Sequence, residues 1–255
     1  MSETPAADAP AATLPPLYRR PEVLRLDRHG KAGLRPLSGY GFAAGLTAVP
    51  LNVAEFGRAA VSFPIVFGGR ETLSPVAIVG VRREQNLFVH PDGAWEPDTH
   101  VPAYLARFPY ILTRAEDDPD RVLLCIEAES DRIAPEAAAE EGAAPFFEGS
   151  EPAAEAKRGL QLCLDWQRQA QVTEAAVKAL REAEVLVPRE GRVDLPGGET
   201  LRLTDFHVVD EAALNKLPDE AFLKLRATGA LAAAYCQLAS QQTWPRLIRL
   251  ANARK

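Results

Sequence analysis

The segment His100-Val-Pro-Ala-Tyr104-Leu-Ala-Arg107-Phe108-Pro109-Tyr110 constrains the fold more than any other stretch of this chain. Pro102 and Pro109 each fix their own φ and bias the preceding residue away from helical geometry, so the residues between them predict a short helical turn clamped by two rigid joints. The same block sets an arginine among aromatic and apolar neighbours, where burial of the charge would demand a partner.

Three neighbouring blocks extend the reading. In Val49-Pro-Leu-Asn-Val-Ala-Glu55-Phe56, Asn52 is placed to cap a short helix running from Glu55 to Ala60. Between Phe63 and Ile126 lie five short β-branched or aromatic runs, 64–67, 76–81, 87–90, 110–113 and 121–126, separated by turn residues such as Gly68-Gly69 and Asp92-Gly93. Short connections favour antiparallel pairing. The glycines of Gly39-Tyr-Gly-Phe-Ala-Ala-Gly45 do not make a dinucleotide fingerprint, because no preceding strand, long following helix or downstream acid accompanies them.

The C-terminal half changes period. Apolar residues at Leu160, Cys163, Leu164 and Trp166 predict one amphipathic helix over 153–171, and Ala176, Val177 and Leu180 predict a second over 173–183 with Thr173 as its cap. Runs at 185–188 and 201–206 flank the turn residues Pro196-Gly197-Gly198 and read as a strand pair or as a strand and an extended return. Three further helical pieces follow at 210–216, 218–227 and 229–241. The stripe Leu223, Leu225, Leu231, Tyr235 and Leu238 predicts core.

The fold class expected is therefore α+β: an antiparallel sheet in the N-terminal half packed with helices largely from the C-terminal half. A chain of 255 residues with 47% hydrophobic content can bury a substantial core. Residues 1–16, rich in Ala and Pro, predict a disordered arm, and the small, acidic stretch near 134–144 predicts a mobile loop within a single domain over 17–255.

Charge and cysteine usage narrow the setting. A formal net charge of −6 and no basic stripe exclude nucleic acid as a partner class. Cys125, Cys163 and Cys236 are widely spaced in apolar contexts and predict reduced thiols, which points to the cytoplasm. The N-terminus lacks the basic start and apolar core of a secretory signal, and no run approaches the roughly 18 apolar residues of a transmembrane helix.

For chemistry, the chain offers no Gly-x-Ser-x-Gly elbow, no phosphate loop and no histidine close to any cysteine in sequence, so no cofactor or nucleophile is assigned. His90-Pro-Asp92 has a spacing that could supply two arms of an iron site with His100 or His207 as third ligand, but the same residues read as a strand ending in a turn. The better candidates for a ligand-binding site are Glu55, Asn86, Trp95, Tyr104 and Arg107, with a structural ion pair, or a carboxylate holding backbone amides, as the alternative for Glu55 and Arg107. A protein partner or small ligand is expected, and an amphipathic C-terminal face leaves a homodimer open.

With these blocks in order, the chain resembles the SapC family of bacterial proteins. The marks are Val49-Pro-Leu with Glu55-Phe56, Phe63-Pro-Ile-Val-Phe67, Asn86-Leu-Phe with Gly93 and Trp95, Val101-Pro-Ala-Tyr with Arg107-Phe-Pro-Tyr110, and Asp210-Glu-Ala-Ala-Leu-Asn-Lys-Leu with Gly229-Ala-Leu and Tyr235. The resemblance implies an accessory or binding protein associated with bacterial surface layers or TonB-dependent uptake, without an assigned reaction. It also implies an alternative, an enzyme or enzyme subunit acting with a halogenase-like or peptide-modifying system.

Overall fold

The computed structural model describes residues 14–70, 72–118, 120–194 and 200–254. Most of the arm expected at 1–16 and the Pro196-Gly197-Gly198 turn lie outside the described residues. In chain order the elements are β1 Pro21–Val23, α1 Leu26–His29, β2 Gly33–Leu34, β3 Ala48–Pro50, α2 Phe56–Ala59, β4 Ile65–Gly68, β5 Ser74–Ile78, α3 Ala103–Ala106, β6 Tyr110–Arg114 and β7 Val122–Glu127. There follow β8 Ile133–Ala134, β9 Ala144–Pro145, β10 Phe147–Glu148, β11 Glu151–Pro152, α4 Ala154–Glu182, β12 Leu186–Asp194, β13 Thr200–Val209, α5 Glu211–Asn215, α6 Asp219–Ala227, α7 Ala230–Ser240 and α8 Trp244–Ala253. The α+β class is the one expected.

The expectation of one sheet over 63–126 needs correction. Those strands divide between two antiparallel sheets: β4 and β5 join a five-stranded sheet of order β12-β13-β4-β5-β3, whereas β6 and β7 form a separate sheet with β1. The expected C-terminal strand pair is present as β12 and β13. It completes the larger sheet through Phe206 opposite Gly68 and His207 opposite Phe67.

A second correction concerns residues 87–90, which form no strand. Asn86 Oδ1 accepts the Phe88 N–H at 2.9 Å, the Val89 N–H turns back to the Asn86 carbonyl, and His90 exchanges backbone bonds with Ala94 and Gly93. A side chain that captures the amide two residues on gives the backbone a turn in place of a ladder. Only an isolated bridge, Val89 with Trp95, remains of the strand character.

The two helices expected at 153–183 are one, α4, of 29 residues. Thr173 is not a cap. It sits buried inside the helix, its hydroxyl 2.7 Å from the Gln169 carbonyl and 3.1 Å from Asn52 Oδ1, while accepting the Val53 N–H at 3.0 Å. A back-bonded threonine is compatible with a continuous helix, so the tertiary contact to the 52–53 turn selects the outcome. Earlier in the same helix Gly159 faces Tyr110, and a Cβ there would lie 2.7 Å from the ring. That close approach seats α4 on β6 and positions the site described below.

Helix α7 is tied to the large sheet by buried polar groups. Gln237, fully buried, accepts the Val209 N–H at 3.0 Å and donates to the Ile65 carbonyl at 3.0 Å, while Ser240 accepts the Ile65 N–H at 3.0 Å. These bonds satisfy backbone groups of β4 and β13 that the helix would otherwise cover unpaired. The expected apolar stripe is only partly core: Leu225 is buried, but Leu223 and Tyr235 are exposed. The 134–144 stretch, expected as a mobile loop, has its ends in β8 and β9 on either side of β2, and Arg35 pairs with Glu140 across it. No helix among the described residues is long and apolar enough to cross a membrane.

Candidate ligand-binding site around Arg107

Glu55 organises the turns that carry the site. Asn52 and Glu55 form a capping box, with the Asn52 N–H donating to Glu55 Oε1 at 3.1 Å. Oε2 accepts the Ala103 N–H at 2.6 Å and lies 3.0 Å from His100 Nε2. One buried carboxylate thus satisfies the free amides at the starts of two turns and locks them together. The clamped turn expected between Pro102 and Pro109 is α3, which ends at Arg107.

The Glu55–Arg107 ion pair considered from sequence does not form. Glu55 is committed to backbone amides and His100, and among the described residues Arg107 has no carboxylate in an ion pair and no partner for its Nε. Arg107 is nevertheless only 7% exposed. Its guanidinium carbon lies 4.7 Å from the ring centre of Tyr104, 5.1 Å from that of Trp166 and 5.5 Å from that of Tyr18. Such contacts contribute about 0.5–2 kcal/mol each when desolvated, against a burial penalty of several kcal/mol for the ion. The cage makes the buried charge tolerable without neutralising it.

Each wall has its own support. Tyr18 donates to the Tyr110 carbonyl at 2.6 Å, and the Tyr104 hydroxyl donates to the Pro16 carbonyl. Trp166 and Cys163, three residues apart on α4, present one face towards the guanidinium. Burial pushes the Tyr104 hydroxyl up to about 12 and the Cys163 thiol up to about 11, with Arg107 drawing both down. Tyr18 is raised further by the same burial, so all three groups are neutral near pH 7 and none supplies the missing counter-charge.

Arg107 borders two openings. A cavity of about 140 Å³ lies on the Glu55 side, shared with Asp165 and Trp166. The other, about 260 Å³, runs between β6 and α4 and is lined by Arg107, Arg114, Ile111, Val122, Cys163 and Trp166 among others, with no acidic residue among the described residues of its wall.

Of the five sequence candidates, Glu55, Tyr104 and Arg107 are brought together, whereas Asn86 and Trp95 lie in a different cluster. Asn86 is buried, donating from Nδ2 to the Ala43 carbonyl at 3.1 Å and ordering the 86–88 turn. Trp95 stacks on Phe88, packs edge-on to Tyr40 and donates to the His100 carbonyl at 3.2 Å. Tyr18, Trp166, Cys163 and Arg114 escaped sequence reasoning as site residues. Trp166 was visible as part of an apolar stripe, but nothing local indicates that its face meets an arginine 59 positions earlier.

The arrangement of His90, Asp92, His100 and His207 as metal ligands is not assembled. His90 pairs with Glu96 at 2.8 Å, Asp92 accepts the Ala94 N–H, His100 faces Glu55, and His207 lies in β13 opposite Phe67. Among the described residues no cluster of three or more His, Cys, Asp or Glu is placed to hold a metal ion.

No curated protein and no solved structure matches the chain. The blocks that build the cage, from Glu55-Phe56 through Val101-Pro-Ala-Tyr to Arg107-Phe-Pro-Tyr110, fall inside a family match that spans residues 24–247, and over that length the chain belongs to the SapC family.

Proposed function

We propose that this protein is a non-enzymatic accessory protein that recognises an anionic group of a partner or small ligand at Arg107, in the setting of bacterial surface layers or TonB-dependent uptake. The observation that carries the reading is a cation 93% buried, without a carboxylate in an ion pair among the described residues, held between three aromatic rings at the edge of open cavities. A structural arginine is normally neutralised by the fold, and one left uncompensated beside a cavity leaves its strongest interaction for a guest. The cellular setting rests on family membership. A cytoplasmic site of action is supported by three unpaired cysteines, two of them buried.

Affinity purification from the native bacterium tests the proposal. Wild-type protein is expected to recover surface-layer, receptor or modification-system components above background, and Arg107→Met, folded to the same extent, is expected to lose them. Equal recovery by both forms, or none by either, would count against recognition at Arg107.

A further inference from the structure

We infer that the groove between β6 and α4 binds a small monocarboxylate with an apolar body, its carboxylate at the Arg107 guanidinium and its body against Trp166, Ile111 and Val122. The inference rests on the proposed recognition role and specifies the ligand. Three features of the groove select this class.

The first is charge. Among the described residues that line the groove none is acidic, and the buried Arg107 guanidinium borders it, so low-dielectric walls favour an entering anion at that end. The second is the donor. A guanidinium is a planar fork that matches two carboxylate oxygens, and here its Nε is buried without an acceptor. The rings of Tyr104 and Trp166, set edge to face at 65°, both lie against that fork and restrict its movement, so little orientation is lost when an anion arrives.

The third feature is size and polarity. A cavity of about 260 Å³ is small beside the roughly 300–1,000 Å³ of drug-sized pockets, and fits a ligand of amino-acid scale. Most of its wall beyond the arginines is aliphatic or aromatic, from Ile111, Leu112, Val122, Trp166 and Ala170. A bare phosphate would leave that wall unused and bring a second negative charge to a guanidinium already enclosed by rings. A carboxylate attached to an apolar body uses both ends of the groove.

Titration of the full-length protein with sodium acetate, hexanoate and benzoate, with benzamide and inorganic phosphate as comparators, tests the assignment by calorimetry and by the fluorescence of Trp166 in a Trp95→Phe, Trp244→Phe background. Affinity is expected to rise from acetate to hexanoate and benzoate, and benzamide and phosphate are expected to bind at least about tenfold more weakly, the equivalent of about 1.4 kcal/mol. Arg107→Met should abolish the carboxylate preference. Arg107→Lys, which keeps the charge and loses the fork, should retain part of it. Benzamide binding as well as benzoate, phosphate binding better than any carboxylate, unchanged benzoate affinity in Arg107→Met, or no binding across the series would each overturn the carboxylate assignment. If the series fails while recovery of native partners still depends on Arg107, the ligand class falls and the recognition role stands; if neither depends on Arg107, both fall.

Discussion

Arg107 sits over the Tyr104 ring with 4.7 Å between the guanidinium carbon and the ring centre, and the Tyr104 hydroxyl is held in turn by the Pro16 carbonyl. The aromatic wall of the cage is therefore anchored to the chain just before β1, ahead of the folded sheets. Tyr104→Phe keeps the ring and removes the anchor. It should cost about 1 kcal/mol of stability in urea denaturation, the usual contribution of one such hydrogen bond, and should leave monocarboxylate affinity within about threefold. A loss of binding as large as that of Arg107→Met would show that the hydroxyl itself meets the ligand.

Glu55 has the opposite character to Arg107, because every one of its interactions is internal. Glu55→Ala leaves the Ala103 and Asn52 amides without their acceptor and should cost about 3 kcal/mol, since hydrogen bonds to a charged group contribute about 1.5–3 kcal/mol each and the losses overlap. Glu55→Gln keeps one acceptor oxygen and should cost less. Urea denaturation of both variants measures the difference, and a near-neutral Glu55→Ala would refute the stapling role.

Gly159 tests how α4 sits on β6. A Cβ at this position meets the Tyr110 ring at 2.7 Å, so Gly159→Ala should lose about 1–3 kcal/mol through overpacking. Helix propensity returns about 1 kcal/mol of this, leaving a net loss of up to about 2 kcal/mol. Because this contact lies between α4 and β6, the two elements that wall the groove, the same variant should weaken benzoate binding. A stabilised variant with unchanged binding would place the helix elsewhere.

Alkaline pH should destabilise the fold from about 9 upwards. Burial raises the Cys125 and Cys163 thiols from an ordinary 9.0 to about 11, so between those values the unfolded chain has lost protons that the folded chain keeps. Stability is then fully present below pH 9 and falls as pH rises to about 11, with a limiting slope of about 1.4 kcal/mol per pH unit for each group. Urea midpoints measured across that window should fall, and a Cys125→Ala, Cys163→Ala variant should show a shallower slope whatever its absolute stability. Equal slopes would place the titration elsewhere.

What was legible in the sequence was what local chemistry decides. Pro102 and Pro109 marked the α3 turn, Asn52 marked the start of the 53–55 turn that leads into α2, and Asp210 and Pro218 marked the starts of α5 and α6. Misreadings arose where a distant partner decides. Thr173 looks like a cap until the Val53 amide is placed against it, and Asn86 looks like a strand residue until its side chain captures the Phe88 amide. The pairing of β13 with β4 joins residues 138 and 140 positions apart, beyond the reach of any periodicity. Arg107 was legible as a buried charge. Its surroundings were not, because Tyr18 and Trp166 arrive from 89 positions before and 59 positions after it.

The most direct test of the account is the stability of Arg107→Met in buffer free of carboxylates. If the guanidinium is an uncompensated ion held by aromatic rings, the lost cation–π contacts and the relieved burial penalty nearly cancel, and the variant should unfold in urea within about 1 kcal/mol of wild type. A loss of about 3–5 kcal/mol would mean that its removal strands a paired buried carboxylate, and would contradict the claim that Arg107 is kept free for a ligand.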